Sequence, residues 1–235
     1  METLKLHNVT PEATRIGIGT WAIGGWMWGG TDEKDSVKTL RSALDKGLNL
    51  IDTAPVYGFG TSEKIVGKAL QEHGKRDEIV LVTKVGLDWK GQQPFRNSSK
   101  ERIEKEIDDS LQRLNTDYID VYMIHWPDHA VPFEETAETM QKLVDNGKIK
   151  SIAVSNYSPD QMDQFRKVAP IHVCEPPYNI FEREIEQDVL PYCQKNDIKT
   201  LAYGALCRGL LSGKMSADRV FEGDDLRKMD PKFKG

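Results

Sequence analysis

Asp52, Lys84 and His125 each close a short apolar run, where a strand interior has no use for a charge or an imidazole. The runs are LNLIDTA, IVLVTK and IDVYMIH. IKSIAVSN, HVCEPPYN and TLAYG end likewise in Ser155 with Asn156, in Glu175 and in Tyr203. A lysine ending IVLVT is costly to bury unless it is paired, and Asp52 on the preceding run can supply the partner. Taken alone, the pair is either a structural ion pair at a sheet rim or part of a functional site. A lysine there can also form a Schiff base with a carbonyl compound. A carboxylate beside it holds it protonated, however, and disfavours the neutral amine that such chemistry needs.

Tyr57 follows in VYGFGT, a glycine-flanked turn beyond Asp52. A phenol, with an ordinary pKa of about 10, is a poor acid at neutral pH. A neighbouring ammonium favours phenolate, so Lys84 is expected to lower that value and make Tyr57 a tuned proton donor. By itself Tyr57 reads more readily as a packing residue. His125, followed by Trp126 and Pro127, can donate a hydrogen bond to a carbonyl oxygen, or it is a rim histidine satisfied within the protein. Metal binding is not indicated. His7, His73, His129 and His172 are scattered without ligand spacing, as are Cys174, Cys193 and Cys207. The odd cysteine count reads as reduced thiols in a cytoplasmic protein.

The elements that position these residues alternate. IGIGT is a weak first strand, followed by WAIGGWMWGG, a loop with three tryptophans and four glycines. Glu33 to Lys46 places Val37, Leu40 and Leu44 on one helical face. Ser62 to His73, the stretch after Ser98, Phe133 to Asn146 and Glu182 to Lys195 read as further helices. Ser98 and Glu101 suggest a capping box, and Ser158-Pro159-Asp160-Gln161 a second one. The strands are continuously apolar, so both of their faces are buried. Strict alternation with helices gives parallel, right-handed crossovers. In a closed parallel barrel the carboxyl ends of all strands meet on one face, where chemistry is built. A doubly wound sheet is the rival, but GIGTWAIGGW lacks the G-x-G-x-x-G spacing of its first turn. The expectation is an α/β chain of the TIM-type (β/α)8 barrel class. It would form a single domain over residues 1–235 that supplies about seven strands and lacks the last helix-strand-helix. Residues 206–235 read as a loop and a polar, weakly periodic tail.

The chain has 235 residues, enough for one well-filled core, and 38% of them are hydrophobic. A net charge of −5 argues against nucleic acid or an anionic membrane as partner. No apolar run is long enough to span a bilayer as a helix, and METLKLHNVTPEATR lacks a signal peptide's apolar centre.

Together and in order, the motifs are far more specific than any one residue. IDTAPVYGFGTSEKIVGKAL, LVTKVG, DYIDVYMIHWPD, GKIKSIAVSNYS, PPYNIFER and YGALCRGLLSGK span nearly the whole chain. The sequence resembles the aldo-keto reductases, in particular the bacterial branch carrying the WAIGGWMWGG loop, which includes general stress and inositol-operon-associated reductases. That resemblance implies a catalytic tetrad of Asp52, Tyr57, Lys84 and His125, reducing aldehydes and ketones reversibly with NADPH, NADH being left open. Tyr57 would give the proton, Lys84 held by Asp52 would keep it acidic, and His125 would orient the carbonyl oxygen.

It also implies cofactor contacts. Gly19, Thr20, Trp21 and Asp52 lie on one side. Ser155, Asn156 and Glu175 face the nicotinamide carboxamide, and Tyr203 stacks on the ring. Gly204, Leu206, Arg208, Gly209, Leu211, Gly213 and Lys214 wrap the pyrophosphate, with 206–235 as the loop and tail covering the cofactor. Trp21, Tyr57 and Trp126 would line the substrate pocket, with Trp26 and Trp28 on its rim. Glu175 stands where the family commonly has glutamine. A carboxylate accepts hydrogen bonds but cannot donate unless protonated, so weaker cofactor binding than in Glu175→Gln is expected. The resemblance implies a monomer acting on a small carbonyl compound, with no nucleic acid and no membrane. A chain complete at this length would be crippled in catalysis, poorly soluble or self-associating. The rival function is a cofactor-binding regulatory subunit of the channel-β type.

Overall fold

The apolar runs become parallel strands in the computed structural model, which describes residues 1–234. Gly235, the last residue of the expected tail, lies outside the described residues. A short antiparallel pair, β1 (Thr3–Leu4) and β2 (Ala13–Thr14), precedes β3 (Gly17–Gly19). There follow α1 (Glu33–Asp45), β4 (Leu50–Asp52), α2 (Thr61–His73) and β5 (Val80–Val85). A hairpin, β6 (Leu87–Lys90) and β7 (Gln93–Arg96), leads to α3 (Lys100–Leu114), β8 (Ile119–Ile124), α4 (Phe133–Asp145) and β9 (Ile149–Ser155). The chain continues through α5 (Pro159–Arg166), β10 (Val173–Glu175), α6 (Val189–Lys195) and β11 (Lys199–Thr200). Seven strands lie in the order β3-β4-β5-β8-β9-β10-β11, each parallel to its neighbours.

Alternation along each strand sorts the two faces. Ile51, Leu81, Tyr122, Ile124, Ile152, Val154 and Cys174 point outward into the core beneath the helices. Leu50, Val80, Val82, Val121, Met123, Ala153 and Val173 fill the inner face, where Leu6, Val9 and Ala13 plug its lower end. Each such large side chain contributes about 1.5–3 kcal/mol by leaving water.

Register turns these layers into a site. Asp52 pairs with Val82, Lys84 with Met123, Ile124 with Val154, and Ser155 with Glu175. Lys84 thus lies two residues above the partner of Asp52, and His125 two above the partner of Lys84. A step of two returns to the same face. Asp52, Lys84, His125, Ser155 and Glu175 therefore all cap the inner apolar layer.

Several boundaries differ from expectation. Ser99, not Ser98, caps α3 by accepting from Arg102 N, because the buried Ser98 amide is held by Asp128 Oδ2 at 2.9 Å. The expected helix from Glu182 begins only at Val189, after a single 3-10 turn. Pro191 explains this. It lacks an amide proton and crowds the carbonyl of the preceding turn, so it fits only near a helix start. The Ser158–Gln161 box forms in full. Between α2 and α3, Glu63 and Glu106 are buried around Arg113, with Arg102 on Glu106. Gly67 admits this close packing, since a Cβ there would lie 2.5 Å from Arg113 O.

Candidate active site

Lys84 sits at the top of β5 with only 1% of its surface exposed. Its ammonium donates to Asp52 Oδ1 and, at 3.1 Å, to Thr53 O. Its nitrogen also lies 3.6 Å from Glu175 Oε2. Burial works to lower its pKa, but Asp52, Glu175 and Tyr57 together raise it above the ordinary lysine value. The amine is therefore a fixed cation, which removes the Schiff-base reading.

Tyr57 is carried by the loop between β4 and α2. Its ring centre is 5.3 Å from Lys84 Nζ and 5.7 Å from the centre of the His125 ring, which it meets edge-on. The four side chains from three strands and one loop thus meet around one point. The acidity of Tyr57 departs from expectation. Burial raises its pKa, Lys84 opposes that, and Asp52 and Glu175 add to it, so the net shift is upward. One ammonium does not outweigh desolvation and two carboxylates. Burial and the Lys84 charge also hold His125 well below the usual histidine value, so its imidazole is neutral and donates through one nitrogen only.

The residues on the far side form a chain of hydrogen bonds. Ser155 Oγ donates to Glu175 O at 2.8 Å, and Asn156 Nδ2 donates to His125 O and Ser155 Oγ. Tyr203 OH donates to Asn156 Oδ1 at 2.8 Å, fixing a half-buried ring. Glu175 Oε2 is buried and makes no hydrogen bond. On the opposite side, Gly19 pairs with Asp52 across β3 and β4, and nothing stands within 4 Å of where its Cβ would be. Thr20 is buried, with its hydroxyl bonded to Asp52 O and Ser62 Oγ, so it braces the strand ends.

Trp21 lies over Tyr57 with ring centres 6.1 Å apart and meets Trp28 edge-on at 5.3 Å. Trp126 stands farther out, with the Arg96 guanidinium 5.6 Å from its ring centre. Trp26, Phe59 and Trp89 form an aromatic row on the rim. Gly204, Gly209 and Gly213 adopt left-handed backbone, as do Cys207 and Arg208. No hydrogen bond of the described residues joins 206–214 to the tetrad. This segment is anchored instead through the Arg208–Asp230 pair and Arg227 Nη1 on Arg208 O.

Sequence reasoning missed the rim hairpin and the course of the tail. Gly91, left-handed at the hairpin tip, is the signal that was available for the hairpin. The tail doubles back on the tryptophan loop. Asp224 accepts from Met27 N at 2.8 Å and from Gly29 N at 3.0 Å, and Leu226 N donates to Met27 O. Arg227 lies between the rings of Trp28 and Phe221.

A parallel βα sheet of this order, with polar side chains gathered at its carboxyl ends, defines a barrel-class enzyme. Residues 15–232 match the aldo/keto reductase family, and the chain belongs to it. It is 62% identical over 233 residues to the aldo-keto reductase YhdN of Bacillus subtilis, covering 99% of this chain and 70% of that protein. Over 235 residues it is 38% identical to a methylglyoxal reductase of Escherichia coli described as NADH-specific, covering 94% and 72%. The glycerol dehydrogenase structure from Gluconobacter oxydans superposes with a TM-score of 0.89 at 53% identity, covering 99% of this chain and 72% of that one. A Klebsiella pneumoniae aldo-keto reductase in complex with NADPH gives 0.76 at 32% identity, covering 97% and 75%. The fold is thus that of the (β/α)8 barrel oxidoreductases. No described helix is long and apolar enough to cross a membrane, and no group of metal ligands gathers among the described residues.

Proposed function

We propose that the protein reduces aldehydes and ketones to alcohols, reversibly, with NADPH as the preferred reductant. The observation that carries this reading is the meeting of Tyr57, Lys84, Asp52 and His125 around one point. Tyr57 stays protonated until a substrate oxygen accepts its proton. Lys84, fixed by Asp52, then stabilises the phenolate that forms. Neutral His125 donates a hydrogen bond to the carbonyl oxygen, where negative charge develops. Trp21 and Trp126 supply apolar walls.

The residues fit a nicotinamide cofactor. Glu175 holds an unpartnered buried oxygen beside Lys84, ready for the amide group of a carboxamide. Ser155 and Asn156 stand next to it, and Tyr203, tethered through its hydroxyl, offers a ring to stack on. We place Gly19, Thr20, Trp21 and Asp52 on the other side. We read residues 206–214 as the loop covering the phosphates, with Gly204, Leu206, Arg208, Gly209, Leu211, Gly213 and Lys214 nearest to them, whereas the tail that was expected to cover the cofactor with it packs on the tryptophan loop. Left-handed glycines allow backbone to approach a phosphate closely. When bound, the cofactor supplies the hydride.

The relatives named above include one described as NADH-specific and one crystallised with NADPH, so both reductants enter the test. Purified protein is mixed with each reductant and methylglyoxal, and absorbance at 340 nm is followed beside Tyr57→Phe. Turnover by the native chain that falls at least a hundredfold in the variant supports the reading. Cofactor binding without turnover favours a regulatory subunit instead.

A further inference from the structure

We propose that Glu175 makes this site discriminate the redox state of its cofactor, holding the oxidised, cationic nicotinamide more tightly than the neutral reduced one. The inference rests on the cofactor reading above. Its basis is a charge imbalance at the top of the barrel. Asp52 and Glu175 face a single ammonium, Lys84. Lys84 donates directly to Asp52 and to Thr53 O, while Glu175 stands back at 3.6 Å. Glu175 is 5% exposed, and its Oε2 has no hydrogen-bond partner. The other titratable groups facing it bring no positive charge. Tyr57 and Tyr203 are phenols held above their ordinary pKa, and His125 is neutral. Cys174, its neighbour in β10, turns to the opposite face of the sheet. With both carboxylates ionised, the site carries one buried negative charge in excess.

A buried unpaired carboxylate either takes a proton or acquires a cation. Burial and Asp52, opposed by Lys84, push the Glu175 carboxyl up to about 8, so in the free protein at neutral pH it is mostly protonated. The two forms of the cofactor share the carboxamide and differ at the ring by one positive charge. The oxidised ring stabilises ionised Glu175, whereas the reduced ring gives the carboxylate nothing beyond the amide that both forms share. Below about pH 8, binding of the oxidised form therefore expels the Glu175 proton, and binding of the reduced form does not. A glutamine at this position would serve both forms alike.

The experiment titrates native protein and Glu175→Gln with NADP+ and with NADPH by calorimetry, from pH 6 to pH 9 in buffers of different ionisation enthalpy, and repeats it with NAD+ and NADH. Native protein should release a proton on binding the oxidised form only, and that affinity should rise up to tenfold per pH unit below about pH 8. In Glu175→Gln the release should vanish, and the ratio of oxidised to reduced Kd should rise at least tenfold. An unchanged ratio overturns the inference. So does proton release that persists in the variant, which would assign it to Asp52. If the variant does not fold, equal proton release by native protein on binding either form overturns it equally. Binding of neither form overturns the cofactor reading itself and the inference with it, an outcome distinct from binding without discrimination.

Discussion

The backbone of Gly24 rests directly against that of Tyr57. A Cβ on Gly24 would lie 2.5 Å from the Tyr57 carbonyl carbon and 2.7 Å from its oxygen. Gly58, left-handed at φ 65°, belongs to the same contact, its amide nitrogen 2.9 Å from that Cβ position. The tryptophan loop is thus the seat on which the Tyr57 loop is held, and the glycines set how deep Tyr57 reaches toward Lys84.

Gly24→Ala should push the Tyr57 backbone away while leaving the sheet intact. A misplacement of about 1 Å can cost on the order of a hundredfold in rate. The expected outcome is a ten- to hundredfold fall in kcat for carbonyl reduction, with an unchanged circular dichroism spectrum. A variant with native kcat would show that this contact does not position Tyr57.

The tail clamp predicts a second effect. Asp224 gathers two amides of the tryptophan loop, and Arg227 stacks on Trp28, which in turn touches Trp21 over Tyr57. Asp224→Ala leaves the amides of Met27 and Gly29 without their acceptor. Hydrogen exchange at those two amides should quicken at least tenfold, and KM for the carbonyl substrate should rise more than kcat falls. Unchanged exchange would mean that the loop holds itself.

How much of this was legible follows from how each residue is held. Asp52, Lys84 and His125 were readable because a polar residue ending an apolar strand marks a strand's carboxyl end, and parallel register then brings such ends together. Helix starts were readable where local chemistry decides them, as at Ser158. Ser98 misled because Asp128, distant in sequence, had already taken its amide. The direction of the Tyr57 shift was hidden for a related reason. Lys84 was visible as its neighbour, but the second carboxylate, Glu175, reaches it from a strand over a hundred residues away in sequence. The Asp224 clamp joins residues 197 apart through backbone amides, which leave no mark on side-chain pattern.

The buried charges between α2 and α3 give a stability prediction. Arg113 is the shared partner of Glu63 and Glu106, both buried. Removing one partner of a buried ion pair leaves uncompensated charge and costs about 3–5 kcal/mol. Arg113→Ala should lower the denaturation midpoint accordingly, whereas Arg113→Met combined with Glu63→Gln and Glu106→Gln should recover much of the loss. A single variant as stable as the native protein would show that water reaches these carboxylates.

At the opposite end of the barrel, His172 offers a pH test. Its Nδ1 accepts from Ile152 N at 3.2 Å, and its ring stacks on His7 with centres 4.2 Å apart. Burial, and then the proximity of His7, depress its pKa to about 4. Between about pH 6.5 and pH 4 the unfolded chain binds a proton here that the folded protein refuses, so stability must fall as the pH drops through that window. The group is partly solvated, so the contribution lost is on the order of 1–2 kcal/mol after screening. Below about pH 4 both states are protonated and the effect saturates. Urea denaturation of the native protein and of His172→Leu, compared at pH 7.5 and pH 4.5, isolates it. The variant should be less stable at the higher pH, having lost the acceptor for Ile152 N, but should lose less on acidification. An equal loss in both proteins would assign the acid sensitivity to the carboxylates and not to His172.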